Sequence, residues 1–296
     1  MDTAEILKKV RQIEIKTGRL VSETFAGEYL STFKGQGIEF SEVREYTPGD
    51  DVRSIDWNVT ARSATPYIKQ YNEEREVTLL IACDGSASQH FGSADKLKQE
   101  AAAELTALFA LCALKNNDKV GLLLFSDKIE LYVPPRKGKK HILRLIREVV
   151  AFEPKSRGTN IGLGLETLNK VIKRQGILLL ISDFLAPLSS FAKPFRLAAK
   201  KFDLIPLILQ DKLEHRLPRL SACLDITDPE TGETDLISLS SGEINEALDK
   251  FHREHDTQLR RLFSPYKIEP IVVDTAQNTA DPVIAFFKRR AKRLRR

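Results

Sequence analysis

The stretch VTLLIAC, residues 77–83, is an uninterrupted apolar run that ends at the acid of DGSAS, residues 84–88. Such a run is typical of a strand buried on both faces of a parallel sheet. Three later runs have the same character: VGLLLFS (120–126), GILLLIS (176–182) and FDLIPLIL (202–209). Segments with helical spacing separate them, and strands that alternate with helices imply right-handed crossovers. The sequence therefore predicts an α/β fold with a doubly wound, mostly parallel sheet.

The remaining segments complete this prediction. KIELYV (128–133) is expected to be the hairpin partner of the strand before it, and KIEPIVV (267–273) a further strand. Residues 222–238 are expected to hold two short strands around the turn DPETGE. Before a basic C-terminal helix, helices are expected at 3–16, 95–115, 141–152, 161–174, 189–200 and 242–262.

The N-terminal quarter of the chain has a different character. After the first helix, residues 20–76 are rich in Gly, Asp, Arg and aromatic residues, and their apolar runs are short. This composition indicates turns and short strands. We therefore predict an N-terminal helix and strand- and turn-rich extension over 1–76, and an α/β domain with the basic helix over 77–296.

Length and composition place the chain among ordinary globular proteins. It has 296 residues, of which 42% are hydrophobic and 29% charged. No segment approaches the roughly 20 consecutive apolar residues that a membrane-spanning helix requires, and the N-terminal segment lacks the apolar core of a secretory signal. Three cysteines without CxxC spacing support neither a disulfide framework nor a zinc site. These features predict a cytoplasmic protein without a transmembrane segment.

The net charge of +5 comes from the C-terminus. Seven of the 46 basic residues lie in 288–296, and the remaining 39 stand against 41 acidic residues. A nearly neutral body does not indicate a nucleic-acid-binding surface. The tail could contact RNA, anionic lipid or an acidic partner. We favour instead a helix with a solvated basic end, docked on the body through Val283, Phe286, Phe287 and Leu294.

Oxygen-bearing side chains occur at three places in the predicted α/β domain. Asp84, Ser86 and Ser88 directly follow the first apolar run. Asp183 directly follows the third run, and Thr159 lies just before a predicted helix. Ligands of doubly wound sheets bind beyond the carboxyl ends of the strands. Two carboxylates and three hydroxyls, without imidazole or thiolate, suit Mg²⁺ or Mn²⁺ in an octahedron that retains water or accepts an outside carboxylate.

This order of residues resembles the metal-ion-dependent adhesion site (MIDAS) of von Willebrand factor A domains. All five positions of that site are matched. They are the DxSxS motif of Asp84, Ser86 and Ser88, Thr159 after a glycine, and Asp183 after a buried strand. The resemblance implies coordination of Mg²⁺, with Mn²⁺ or Ca²⁺ as alternatives, and an open position filled by an acidic residue of a partner protein. In this hypothesis Asp84, Ser86, Ser88 and Thr159 hold the ion directly or through water, and Asp183 lies one shell further out or binds through water.

The upstream stretch GQGIEFSEVREYTPGDDVRSIDWNVTARS (35–63) narrows the resemblance. It is similar to bacterial proteins that accompany MoxR-type AAA+ ATPases, in which an EF–R–Y–PGDD–R–IDW–AR series precedes a von Willebrand factor A-like core. The resemblance covers about residues 20–240. Gln89, where many relatives have methionine, departs from the pattern at a position that is not a ligand. The upstream residues singled out as a structural or partner-docking motif are Arg44, Asp50, Asp51, Arg53, Asp56, Trp57 and Arg62.

Three interpretations of GDDVRSIDW (49–57) remain open. Its acids, interleaved with arginines, can form a charge-assisted hydrogen-bond network that fixes a turn-rich segment. The same residues can form a partner-docking surface. A second metal site is the least favoured interpretation, because the arginines would occupy the carboxylates.

The same residues allow an enzymatic alternative. The second hypothesis is a metal-dependent hydrolase or phosphatase that uses the Asp84/Ser86 loop. DGSAS lacks the trailing glycine of the GxSxG elbow, and none of the five histidines is obviously placed to activate a serine. No GxxxxGK[ST] motif occurs, so the sequence is not a P-loop ATPase. We interpret Gly162 and Gly164 as allowing close helix packing, and QDKLEHRLP (210–218) and DPETGE as turn and cap chemistry.

The sequence therefore predicts a von Willebrand factor A-like, doubly wound α/β protein. The favoured function is a non-enzymatic, Mg²⁺-dependent adaptor. Its expected partners are a MoxR-type AAA+ ATPase and a client protein that presents an acidic residue, in chaperone-like maturation or assembly of that client.

Overall fold

The computed structural model divides into two compact units. One is Phe33–Val77, and the larger one combines Met1–Thr32 with Thr78–Arg296. The residues that the structure describes are 3–21, 29, 38–63, 65–73, 77–93, 96–218, 220–240 and 242–294.

The small unit contains an antiparallel hairpin of β1 (Ile38–Glu45) and β2 (Tyr67–Glu73). A 3-10 turn (Val52–Ser54) and a short helix, α2 (Trp57–Thr60), lie between the two strands in the sequence. Short strands and turns are therefore what the structure shows here, in agreement with the composition of this region.

The large unit contains a mostly parallel sheet. Its strands and those of a separate hairpin are β3 (Thr78–Asp84), β4 (Lys119–Phe125), β5 (Ile129–Arg136), β6 (Ile177–Ser182), β7 (Asp203–Gln210), β8 (Cys223–Thr227), β9 (Thr234–Ser238) and β10 (Ile271–Asp274). Among the described residues, six strands form the sheet in the order β10-β7-β6-β3-β4-β5. Neighbours are parallel except β5, which runs antiparallel to β4. Counted along the unit, this is the doubly wound order 3-2-1-4-5-6, and the predicted fold class is confirmed.

Burial explains why the apolar runs form the centre of this sheet. Every residue of β6 is buried, and so are all residues of β3 and β4 after the first. Strands covered on both faces gain from apolar side chains at every position, not at alternate ones. The separate hairpin of β8 and β9 is largely exposed and mixes polar residues with apolar ones.

Helices complete the large unit. They are α1 (Thr3–Leu20), α3 (Lys98–Lys115), α4 (Lys139–Val150), α5 (Ile161–Val171), α6 (Leu188–Lys201), α7 (Lys212–His215), α8 (Glu243–Phe263) and α9 (Ala280–Leu294). Helix α1 packs against α3 and α4. The N-terminal helix, which the sequence analysis grouped with the extension over 1–76, therefore lies with the α/β unit, because its apolar face is covered by helices of that unit.

The C-terminal helix docks through the apolar side chains expected for it. Val283, Phe286 and Phe287 of α9 are buried. Its basic residues are engaged with the body: Arg289 and Arg293 both contact Glu269 at 2.9 and 3.0 Å. Part of the positive tail thus forms ion pairs within the large unit. The side chain of Leu294 lies outside the described residues.

Several boundaries differ from the sequence prediction, and two of them have a clear local cause. The strand expected over 267–273 begins only at Ile271, because a 3-10 turn (Ser264–Tyr266) precedes it and Lys267 has the left-handed φ of 55°. The helix expected from residue 95 begins at Lys98, where the Glu100 carboxylate accepts the Leu97 backbone N–H at 3.3 Å. Local turn and cap geometry sets both ends.

We predict opposite effects for two glycine substitutions. A Cβ added at Gly162 would lie 2.4 Å from the backbone oxygen of Ser190, whereas one added at Gly18 in α1 has nothing within 4 Å. Gly162→Ala should therefore destabilise the protein by about 1–3 kcal/mol, and Gly18→Ala should stabilise it by about 0.5–1 kcal/mol. Denaturant unfolding measures both. Equal midpoints for the two variants would contradict this account of α5 packing.

Candidate functional site

Three loops of the large unit meet at the carboxyl edge of the sheet. Asp84 is the last residue of β3 and Asp183 follows β6, and these two strands are adjacent and parallel. The loop before α5, which carries Thr159, joins them through the Ala87 N–H, which donates to the Arg157 carbonyl at 3.0 Å. The topology thus brings the five residues singled out from the sequence into one region.

Asp84 is a buried carboxylate with two internal donors. Its Oδ1 accepts the Ser86 backbone N–H at 2.9 Å, and its Oδ2 accepts the Ser182 hydroxyl at 2.7 Å. Burial, together with the negative charge of Asp183, raises the pKa of Asp84 to about 7. The raised pKa means that the ionised carboxylate of Asp84 is disfavoured at this position. A nearby cation would favour the ionised form.

The two serines of the first loop are neighbours. Ser86 Oγ and Ser88 Oγ lie 3.0 Å apart. Adjacent oxygens of an octahedron with metal–oxygen distances of about 2.0–2.1 Å are separated by about 2.9–3.0 Å, so this spacing suits two neighbouring ligands of Mg²⁺. Gly85 lets the loop fold this tightly, because a Cβ there would lie 2.1 Å from Cε1 of Phe152.

Asp183 is held by side chains that the sequence analysis did not assign to the site. Its Oδ2 accepts from Lys98 Nζ at 3.1 Å and from Gln89 Nε2 at 3.3 Å, and its Oδ1 accepts the Leu185 N–H at 3.2 Å. The Lys98 side chain is 0% exposed and also contacts Glu214. Burial alone would lower the pKa of Lys98, but the charges of Asp183 and Glu214 and their hydrogen bonds outweigh it and raise that pKa.

Thr159 contacts an acidic residue of the same chain. Its Oγ1 donates to Glu230 Oε1 at 2.6 Å. Glu230 lies in the turn between β8 and β9 and is half-buried. Burial raises the pKa of Glu230, and the charge of Asp183 acts in the same direction against the hydrogen bond from Thr159. The turn DPETGE therefore reaches the candidate site.

The late motifs do more than form turns and caps. Asp211 and Glu214 form a capping box at α7, and Asp228 caps the hairpin turn, as the sequence predicts. Glu214 in addition binds Lys98, and Glu230 binds Thr159. No sequence pattern indicated these long-range contacts, because each joins residues more than 70 positions apart.

The donor set fits a hard divalent cation. Asp84, Ser86, Ser88 and Thr159 supply oxygens, and Asp183 lies beside them with its own donors. Among the described residues, Gln89 Oε1 is buried without a hydrogen-bond partner, which leaves an acceptor for a water molecule near Asp183. Over the same residues, no three His, Cys, Asp or Glu side chains converge as a metal-binding group. An ion here would therefore depend on hydroxyl ligands.

The serine of the alternative hydrolase hypothesis has no histidine beside it in the described contacts. Ser86 is fully buried, and its hydroxyl contacts Ser88. Three histidines bond to backbone carbonyls elsewhere: His141 to Val120, His252 to Glu214 and His255 to Phe184. His215 stacks on His252. These contacts give the hydrolase hypothesis no support.

The upstream motif forms a local network in the small unit. Arg44 makes two hydrogen bonds to Asp50, at 2.8 and 2.9 Å. Asp51 accepts the Arg53 N–H at 2.9 Å, and Asp56 caps α2 by accepting the Asn58 N–H at 3.0 Å. The side chains of Trp57, Arg53 and Arg62 are exposed. The acids thus fix backbone turns, whereas an aromatic ring and two guanidinium groups face solvent.

Fold and site together define a class. The class is a doubly wound α/β protein with a set of oxygen-rich loops at the carboxyl edge of its sheet. The chain belongs to the family described as protein of unknown function DUF58, whose pattern matches residues 42–258.

Relatives and solved structures were found by comparison. The "Uncharacterized protein Rv1480" of Mycobacterium tuberculosis (strain ATCC 25618 / H37Rv) is 27% identical over 248 residues, which are 83% of this chain and 74% of that protein. The conserved hypothetical protein BatB from Bacteroides thetaiotaomicron matches with a TM-score of 0.42 and 15% identity, over 73% of this chain and 99% of that chain. The von Willebrand factor type A from Catenulispora acidiphila matches with a TM-score of 0.43 and 12% identity, over 77% and 44%.

Within the described parts of the chain, no helix combines the length and the apolar character needed to cross a membrane.

We predict that the buried ion pair of Lys98 is a large stabilising element. Lys98→Met leaves Asp183 and Glu214 buried without their ammonium, which should cost about 3–5 kcal/mol of unfolding free energy. Lys9→Met removes the half-exposed pair with Glu100 and should cost about 0–1 kcal/mol. Urea unfolding compares the two variants. A Lys98→Met midpoint as high as that of Lys9→Met would contradict the role assigned to this ion pair.

Proposed function

We propose that this protein is a metal-dependent, protein-binding adaptor of the cytoplasm. It acts with a MoxR-type AAA+ ATPase, which supplies ATP hydrolysis, in chaperone-like maturation or assembly of a client. The observation that carries the proposal is the convergence of three loops whose side chains offer two carboxylates and three hydroxyls at one edge of the sheet.

The chain's own residues divide into ligands and supports. Asp84, Ser86, Ser88 and Thr159 would hold Mg²⁺ directly or through water. The Lys98 ammonium, 3.1 Å from Asp183 Oδ2, already gives that carboxylate a counter-charge, whereas the described hydrogen bonds to Asp84 come from neutral donors. This difference supports a role for Asp183 through water instead of direct ligation. When bound, the ion supplies a positive charge that an incoming carboxylate can ligate.

Electrostatics explain why the partner group would be an acid. The charge of Asp183 is balanced by Lys98, so Asp84 is the carboxylate left to face the ion. A single ligating carboxylate leaves a divalent cation with a net positive charge, and an anionic ligand therefore gains more than a neutral one. The client is accordingly identified by its chemistry as a protein that presents Asp or Glu.

The ATPase partner rests on the resemblance of residues 35–63 to proteins that accompany MoxR-type ATPases. In the small unit, this stretch places Trp57 and Val52 at the surface, 68% and 62% exposed. Exposed large apolar side chains on a rigid turn are common in protein-binding surfaces. We assign this surface to the docking of the ATPase.

Metal binding is the first test. Wild type should bind Mn²⁺ and Mg²⁺ at one site in titration calorimetry. Asp84→Asn and Ser88→Ala should weaken Mn²⁺ binding by about 10–100-fold, because each removes a ligand or its charge. Asp225→Asn changes an exposed carboxylate of β8 and serves as the matched control.

Circular dichroism on the same samples shows that the variants are folded. The metal hypothesis fails when wild type binds neither ion, or when Asp84→Asn binds Mn²⁺ as tightly as Asp225→Asn.

Partner capture is the second test. Tagged wild type should recover a client protein from cell extract in Mg²⁺, identified by mass spectrometry, and lose it in EDTA. Thr159→Ala should lose it as well, because it removes a hydroxyl of the site. Thr257→Ala removes an exposed hydroxyl of α8 and should retain it. Recovery that survives both EDTA and Thr159→Ala would remove the metal from the mechanism.

A further inference from the structure

We propose that Glu230 is an internal ligand of the candidate metal site, and that a partner carboxylate binds by displacing it. The inference rests on the proposed function and names how that site is regulated. Glu230 Oε1 lies 2.6 Å from Thr159 Oγ1, one of the oxygens assigned to the ion. A carboxylate this close to a metal-ligating hydroxyl lies within reach of the same ion.

The hairpin turn is built to present this carboxylate. Asp228 Oδ1 accepts the Glu230 N–H at 2.8 Å, and the Gly232 N–H donates to the Asp228 carbonyl at 2.8 Å. Gly232 has a φ of 77°, a conformation that favours glycine. The turn is therefore closed by its own hydrogen bonds, and the position of Glu230 does not depend on the site alone.

The stem of the hairpin has less packing than its base. Strands β8 and β9 are mostly exposed, and Leu236 at 71% exposure contributes little packing. At the base, Leu239 is buried, and its N–H donates to the Ala222 carbonyl at 2.9 Å. An exposed stem between an anchored base and a tip held in the site is the arrangement of an arm that can swing away.

The charges around the tip favour metal-dependent closure. Glu230 and Asp183 repel each other, and Lys98 is already shared by Asp183 and Glu214. Without a cation, the Glu230 carboxylate is held in the site by the hydrogen bond from Thr159. With the ion held by Asp84, Ser86, Ser88 and Thr159, Glu230 gains a second attraction, and the hairpin closes more firmly.

The test is a Mn²⁺ titration of wild type, Glu230→Gln and Glu233→Gln. Glu233 is an exposed acid of the same hairpin, so its substitution changes the same charge away from the site. We expect Glu230→Gln to bind Mn²⁺ about 10–100-fold more weakly than wild type, and Glu233→Gln to bind it unchanged. Acetate in excess should restore part of the affinity of Glu230→Gln, because the position that Glu230 leaves accepts a free carboxylate.

Hydrogen exchange supplies a readout of closure. Mn²⁺ should slow amide exchange at residues 228–233 in wild type and in Glu233→Gln, but not in Glu230→Gln. This measurement reports the hairpin itself and is independent of any partner.

The outcomes separate this inference from the proposed function. Equal Mn²⁺ affinity in Glu230→Gln and Glu233→Gln overturns the internal ligand and leaves the metal site standing. A loss of affinity that acetate does not restore assigns Glu230 a structural role and also overturns it. Failure of wild type to bind Mn²⁺ overturns both proposals.

Discussion

The ammonium of Lys98, buried between Asp183 and Glu214, is the interaction on which the arrangement of the site depends. It joins the first residue of α3, the residue after β6 and the helix α7, which are far apart in the sequence. A buried charge without a partner is strongly destabilising, so these three elements are held in one relative position. The ion pairs of Lys98 thereby link three elements at the carboxyl edge of the sheet.

The same ion pair affects the electrostatic environment of Asp84. Parallel pairing of β3 and β6 places the carboxylates of Asp84 and Asp183 side by side, and the Lys98 ammonium beside them contacts Asp183. Asp84 keeps two hydrogen bonds but no counter-charge within the described contacts, and its pKa is raised to about 7 accordingly. A cation bound between the loops would remove this stress. The convergence of oxygen ligands, together with this missing counter-charge, is the physical argument for a metal.

The sequence predicts the sheet well because burial on both faces demands apolar runs, and these runs are hard to confuse with amphipathic helices. It also predicts that Asp84 and Asp183 lie close together, since both follow parallel strands. It does not predict Lys98, because a lysine in the first turn of a helix gives no sign of burial. Nor does it predict Glu230, because DPETGE has the composition of any exposed turn, and only the fold shows where the hairpin tip lies.

An acid carried on the same chain changes what a partner must offer. A tethered carboxylate acts at an effective concentration of roughly millimolar or more, so a single free carboxylate competes with it poorly. The apparent affinity of any partner is reduced by the fraction of molecules in which the hairpin is closed. A partner must therefore add contacts beyond its one acidic residue. The exposed face of the hairpin, with Leu224 and Leu236 at its surface, is open to contact by the same partner. Selectivity would then lie in recognising the displaced arm together with the ion.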